Sequence, residues 1–165
     1  MLDINSPKGQ ESLEHELRAV QLWQHHYPNY TYIHTPKNGP ALVDAVIGDN
    51  DCNVVAVVEQ KSRNMSLEQL QKWDNEWLIT MDKIEAGRYV ANSLGVPFIG
   101  FLYLIPDDLL ITKQLANAKG EWTCDFRTAI TETQETINGG KIINIRHLDY
   151  SKRIVTTGFV PPRTT

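Results

Sequence analysis

The sequence predicts an α/β domain in the order α-β-β-β-α-β, with a mixed central sheet and a β-hairpin at its C-terminal end. Three observations carry that prediction. A stretch with helical apolar spacing lies near the start, two apolar runs flank a turn within 41–63, and a third apolar run, VPFIGFLYLI, follows a helical region. The length of 165 residues fits one domain with a real core.

Each element has a local reason. Gly9–Tyr27 reads as an amphipathic helix, with Leu13, Leu17, Val20, Trp23 and Tyr27 at helical spacing and Pro28 to end it. Tyr30–His34 (YTYIH) reads as a strand, followed by the loop TPKNGP. Two buried strands follow in ALVDAVIGDNDCNVVAVVEQKSR. Ser66–Thr80 opens with a capping signal, Ser66 standing before Leu67, Glu68 and Gln69, and predicts a helix that continues through Lys83–Leu94. Gly95 and Pro97 stop it. Val96–Ile105 is too short for a membrane span and reads as a buried strand, with a short helix predicted over Asp107–Ala118. RTAITETQETI, an NGG turn and KIINIRHL predict a hairpin, a helix being the alternative for the first arm.

Composition narrows the function classes. The net charge of −4 argues against a general nucleic-acid coat protein, but not against an enzyme that meets phosphates on one local basic face. Two cysteines, Cys52 and Cys124, without CxxC spacing suggest a reduced, cytoplasmic chain and argue against a zinc site. The opening MLDINSPKGQES has no apolar core of a signal peptide, and no apolar run suggests a membrane partner.

The puzzle lies in the two central strands, which carry Asp44, Glu59 and Lys61 among apolar residues. A buried charge costs several kcal/mol unless it is paired, protonated or bound to metal. Alternation along a strand puts Glu59 and Lys61 on one face and Gln60 on the other. A loop of Asn50–Asn53 pairs Asp49 with Val54, and counting back sets Asp44 opposite Glu59, with Cβ atoms about 4.5–5.5 Å apart. Leu42, Val46, Val55 and Val57 share that face in this register; Val43, Ala45, Ile47, Val54, Ala56 and Val58 share the other. Two carboxylates so close repel unless a cation lies between them. Mg²⁺ or Mn²⁺ suits a small carboxylate set completed by water and substrate phosphate. Such an ion polarises a phosphate oxygen and activates water, and Lys61 is placed to orient that water or stabilise developing charge. In the blander alternative, Glu59 and Lys61 form an exposed pair at a strand end and Asp44 caps a turn.

Val43-Asp44 followed by Glu59-Gln60-Lys61 resembles the PD-(D/E)XK nuclease superfamily, without the usual proline before the Asp. The resemblance covers a core of about 8–105, leaves 106–165 as an extension, and implies a restriction-endonuclease-like αβββαβ fold. It implies a metal-dependent endodeoxyribonuclease in which Asp44, Glu59 and the Gln60 carbonyl bind Mg²⁺ or Mn²⁺ and Lys61 positions water. Lys8-Gly9-x-x-x-Leu13-Glu14 is similar to the opening of archaeal Holliday-junction resolvases, which implies a metal-site role for Glu14, with Glu11 as its competitor; an ordinary surface pair with Arg18 is the alternative. Gln69-x-x-x-Trp73 is similar to the Gln-x-x-x-Tyr of RecB-type nucleases, although a core Trp73 beside a solvated Gln69 is the simpler reading.

DNA contacts are expected from Gln69, from Lys37 in the loop after the first strand, and from Lys83 and Arg146; Arg88 is within reach of phosphates too, with plain surface solvation the alternative for it and Lys83. His147, Lys152 and Arg153 cluster with Arg146, while His25 and His26 end the first helix. Trp73, Trp77 and Trp122 read as core or interface. The partners expected are duplex or branched DNA and a second copy of the chain, since a cut through both strands is served by two related sites. A catalytically inert nucleic-acid-binding module on the same fold is the competing expectation.

Overall fold

The computed structural model describes residues 5–36, 41–124 and 126, together with the backbone of strands at 128–132 and 145–151. Helix α1 (Pro7–His26) is capped by Ser6, whose hydroxyl accepts from the Gly9 N–H at 3.0 Å. Its buried stripe is Ala19 and Trp23 with Val20, whereas Leu17 of the predicted stripe is exposed. Strands β1 (Thr31–His34), β2 (Ala45–Gly48) and β3 (Val54–Arg63) follow as antiparallel neighbours. Strand β5 (Phe98–Leu104) lies parallel to β3, and β6 (Leu109–Ala116) is antiparallel to β5. The result is a mixed five-stranded sheet in the order β1-β2-β3-β5-β6.

Helices cover both faces, which is why the inner strands are apolar on both sides. On the α1 face, Trp23 packs with Tyr32, Ala45, Ile47, Ala56, Val58, Ile99 and Phe101. On the other, α3 (Met81–Leu94) contributes Ile84 and Ala91 to a core with Val57, Phe98, Leu102 and Leu115. Gly95, left-handed at φ 68°, ends α3 as predicted.

Two predicted helices are corrected. The capping box over Ser66 and Gln69 is present, but α2 (Leu67–Lys72) is short, and Trp77–Thr80 forms strand β4. Asp74 and Asn75 both take positive φ, 62° and 59°, a conformation these residues tolerate and a helix does not continue through. The helix predicted over Asp107–Ala118 is strand β6 instead, entered through a 3₁₀ turn at Ile105–Asp107 and Asp108 at φ 47°. The free edge of β5 supplies a pairing partner that helical propensity in TKQLA cannot outweigh. The C-terminal hairpin arms form β7 (Thr128–Glu132) and β8 (Ile145–Ser151), antiparallel to one another, and β8 pairs on its other side with β4 in a separate three-stranded sheet.

Near the site the predicted register holds, by an unforeseen route. Ala45 pairs with Val58 and Ile47 with Ala56, but a bulge after Ile47 pairs Gly48 with Val54. The Asp49 N–H bonds to the Asn53 carbonyl, so the connecting loop is one residue shorter than predicted and the bulge compensates. Residues 42–44 bend instead of extending the strand. Val43 therefore packs with Val57, not on the opposite face as predicted.

Candidate functional site

Strand β3 outruns β2. Pairing stops at Ala45–Val58, with one further bond from the Asp44 N–H to the Val58 carbonyl, while β3 continues to Arg63. A strand residue points its N–H and C=O to the same edge, so Gln60 faces the side that β2 has vacated. Asp44 Oδ2 takes the place of a pairing strand and accepts from the Gln60 N–H at 2.8 Å. Thr35 holds Asp44 in place: its N–H donates to the Asp44 carbonyl at 3.0 Å, and its hydroxyl lies 2.7 Å from the carbonyls of both Val43 and Asp44.

Glu59, on the face that α3 covers, is fully buried. Lys61 Nζ stands 3.0 Å from its Oε1. The Lys61 ammonium thus serves Oε1, while among the described residues no other side-chain or main-chain donor reaches the carboxylate. Burial pushes the Glu59 carboxyl up to about 7; Asp44 adds to the rise, while Lys61 and Lys83 oppose it. Lys83, in the first turn of α3, donates to the Ala41 carbonyl at 3.1 Å. Asp44, Glu59, Lys61 and Lys83 thus form one electrostatic group, as the sequence suggests for the first three.

Other predicted residues fall elsewhere. Glu14 is exposed on α1, which packs on the opposite face, and among the described residues no third His, Cys, Asp or Glu joins the pair in a metal-binding cluster. Its suggested partner Arg18 instead makes a bidentate pair with Asp108, at 2.9 and 2.6 Å, and Glu11 meets His15 at 3.6 Å. The Gln69 carbonyl is committed to the Ser66 N–H at 3.0 Å, and Trp73, predicted as core, is 62% exposed. Arg88 stacks on Trp122 at 5.0 Å and donates to the Gly120 carbonyl, which makes it a structural clamp. Lys37 lies outside the described residues, as does the side chain of Arg146, whose backbone pairs with Thr131 in β8.

Three neighbours escaped the sequence reading. Arg63 continues the alternation Glu59, Lys61, Arg63 and donates to the Leu78 carbonyl of β4 at 2.9 Å. Burial lowers its pKa, against the nearby Glu59 charge. Carrying the period of two one step further would have found it. On the α1 face the Tyr32 hydroxyl donates to Gln60 Oε1 at 2.6 Å, and Gln60 Nε2 donates to the Glu16 carbonyl at 3.1 Å. Burial raises the Tyr32 pKa well above 10, helped by the charges of Glu16, Asp44 and Glu59. Glu16, not Glu14, is therefore the acid of α1 whose charge reaches this neighbourhood. Nothing in the helical spacing distinguished them. Trp77 is the third, described below.

The donor set fits a hard divalent ion. Two carboxylates and a main-chain carbonyl at a vacated strand edge are oxygen ligands, and the fully buried Glu59 has Lys61 as its only close donor among the described residues. No protein-family model matches the chain, and neither a curated protein nor a solved structure is significantly similar to it. Among the described residues no helix is long and apolar enough to cross a membrane.

Proposed function

We propose that this chain is a Mg²⁺- or Mn²⁺-dependent endodeoxyribonuclease of the PD-(D/E)XK type. The observation that carries the reading is the convergence of Asp44, Glu59 and Lys61 where β3 outruns β2, with a fully buried carboxylate whose only close donor among the described residues is the Lys61 ammonium. The order α1, β1, β2, β3, α2, β4, α3, β5 is compatible with an αβββαβ core if α2 and β4 are taken as an insertion before α3.

Asp44, Glu59 and the Gln60 carbonyl would hold the ion, which when bound supplies Lewis acidity toward a phosphate oxygen and a more acidic water. The chain's own contribution is positional and electrostatic. Lys61 keeps an ammonium beside the carboxylates, where it orients the attacking water and offsets charge as the water oxygen bonds phosphorus, one P–O ester bond breaks, and the departing sugar oxygen takes up a proton to leave as a hydroxyl. Lys83 and Arg63 add positive charge on the same face, which favours a phosphate backbone despite the acidic chain. Cutting both strands of duplex or branched DNA calls for two such sites, and a homodimer supplies them.

A second reading has an observation of its own. Asp44 already caps a backbone N–H and Lys61 already neutralises Glu59, so the group is self-sufficient as a structural device in an inert DNA-binding module. Plasmid nicking in Mg²⁺, with wild type and Lys61→Ala, separates them. Cleavage abolished by Lys61→Ala in a folded protein supports the nuclease. Absence of cleavage on linear duplex, single-stranded, flap and four-way-junction DNA supports the inert module.

A further inference from the structure

Gly100 is the register partner of Glu59 on the neighbouring parallel strand, and paired residues project from the same face. The space above Gly100 is occupied. A β-carbon at position 100 would lie 2.6 Å from Trp77 Cη2 and 3.1 Å from both its Cζ2 and Leu115 Cδ1, so the outer ring of the indole, with the Leu115 tip beside it, stands where that side chain would be. Trp77 is 1% exposed and its Nε1 has no hydrogen-bond acceptor. Glycine at 100 thus admits the tryptophan over β5, at the register position next to Glu59. Asp44 lies on the other side, just ahead of β2, with Lys61 along the strand.

We infer that Trp77 is a positioning residue: its indole, seated on Gly100, denies the Glu59 side chain the space over β5 and holds the carboxylate toward Asp44 in a cation-ready rotamer. The inference rests on the metal-site reading only for its consequence, because the restriction of Glu59 exists without an ion. The groups facing Glu59 are Asp44 before β2, Lys61 and Arg63 on β3, and Lys83 on α3, and none of them guards the β5 side. Phenylalanine at 77 would lack the ring atoms that reach Gly100, while alanine at 100 would refill the space so vacated.

The test is a size-swap cycle read by Mn²⁺ titration calorimetry without DNA. Trp77→Phe is expected to weaken Mn²⁺ binding roughly three- to tenfold, the scale of ordering one freed side chain. Trp77→Phe with Gly100→Ala is expected to restore it to within about twofold of wild type on that scale. Unchanged affinity in Trp77→Phe, or a double variant no better than the single, overturns the inference. Three-bond side-chain couplings of Glu59 in metal-free protein give a separate readout: one rotamer in wild type and averaging in Trp77→Phe. If wild type binds no Mn²⁺ the metal reading fails, yet that rotamer contrast still upholds Trp77. Should Trp77→Phe not fold, rotamer averaging of Glu59 in the unaltered protein suffices to overturn the inference.

Discussion

Asp44 Oδ2 accepts a hydrogen bond from the Gln60 N–H at 2.8 Å, so a carboxylate stands in for the strand that β3 has outrun. This bond does two things at once. It satisfies a main-chain donor at a sheet edge, and it fixes an acid beside the buried Glu59.

The two roles separate by substitution. Asp44→Asn keeps an acceptor for Gln60 and is expected to hold stability within about 1 kcal/mol, while Mn²⁺ affinity drops at least tenfold. Asp44→Ala strands the N–H and is expected to cost about 1–3 kcal/mol in urea unfolding as well. Equal stability losses for Asn and Ala would show that the bond does not matter to the fold.

Glu59 gives the fold a pH dependence of unusual sign. Its folded pKa, about 7, lies above the ordinary 4.5, so between these values the native state holds a proton that the unfolded chain has lost. The protonated group's contribution is full below 4.5 and falls as pH rises to about 7, by about 3 kcal/mol in all at ~1.4 kcal/mol per unit. Chemical denaturation between pH 4.5 and 8 should show this decline, Glu59→Gln should remove it, and Mg²⁺ should recover stability at pH 8 in wild type only. A slope that survives Glu59→Gln assigns it to another group.

Lys61→Ala removes the cation touching Glu59 at 3.0 Å. Cleavage is expected to fall by about 10²–10³, the scale of losing one preorganised charge at a reacting centre. Stability at neutral pH should change little, because Glu59 takes up a proton instead of remaining a bare buried charge. In titration its midpoint should move above the wild-type value, since Lys61 lowers it.

Tyr32→Phe tests the opposite face. The variant loses the 2.6 Å bond to Gln60 Oε1 and is expected to be destabilised by about 1 kcal/mol, with Mn²⁺ affinity unchanged. A large loss of affinity would mean that the Gln60 side chain, and not only its main chain, governs the site.

The part of this arrangement legible in the sequence is the part that periodicity governs. Alternation along VVAVVEQKSR separates Gln60 from Glu59 and Lys61, and counting through the turn sets Asp44 against Glu59. The bulge after Ile47 was invisible, because one residue gained there and one lost from the loop leave the count unchanged. The capping signal at Ser66 points WLIT toward helix and the position after Pro106 does the same for LLITKQLA, against the β-branched residues in both. Their strands exist only because β8 and β5 offer edges, which is tertiary information. Glu14 and Glu16 illustrate the same limit: helical spacing gives both a place on α1, and only the docking of that helix decides whose charge is felt at Tyr32 beneath it.

The pairing of β4 with β8 has a consequence for biosynthesis. Strand β4 carries Trp77 but meets its hydrogen-bonding neighbour only in residues 145–151. A growing chain can align all members of the larger sheet, acids included, while Trp77–Thr80 still awaits its mate. The backing of the acidic centre therefore locks only after residues 145–151 have left the ribosome, well behind the strands that carry the acids.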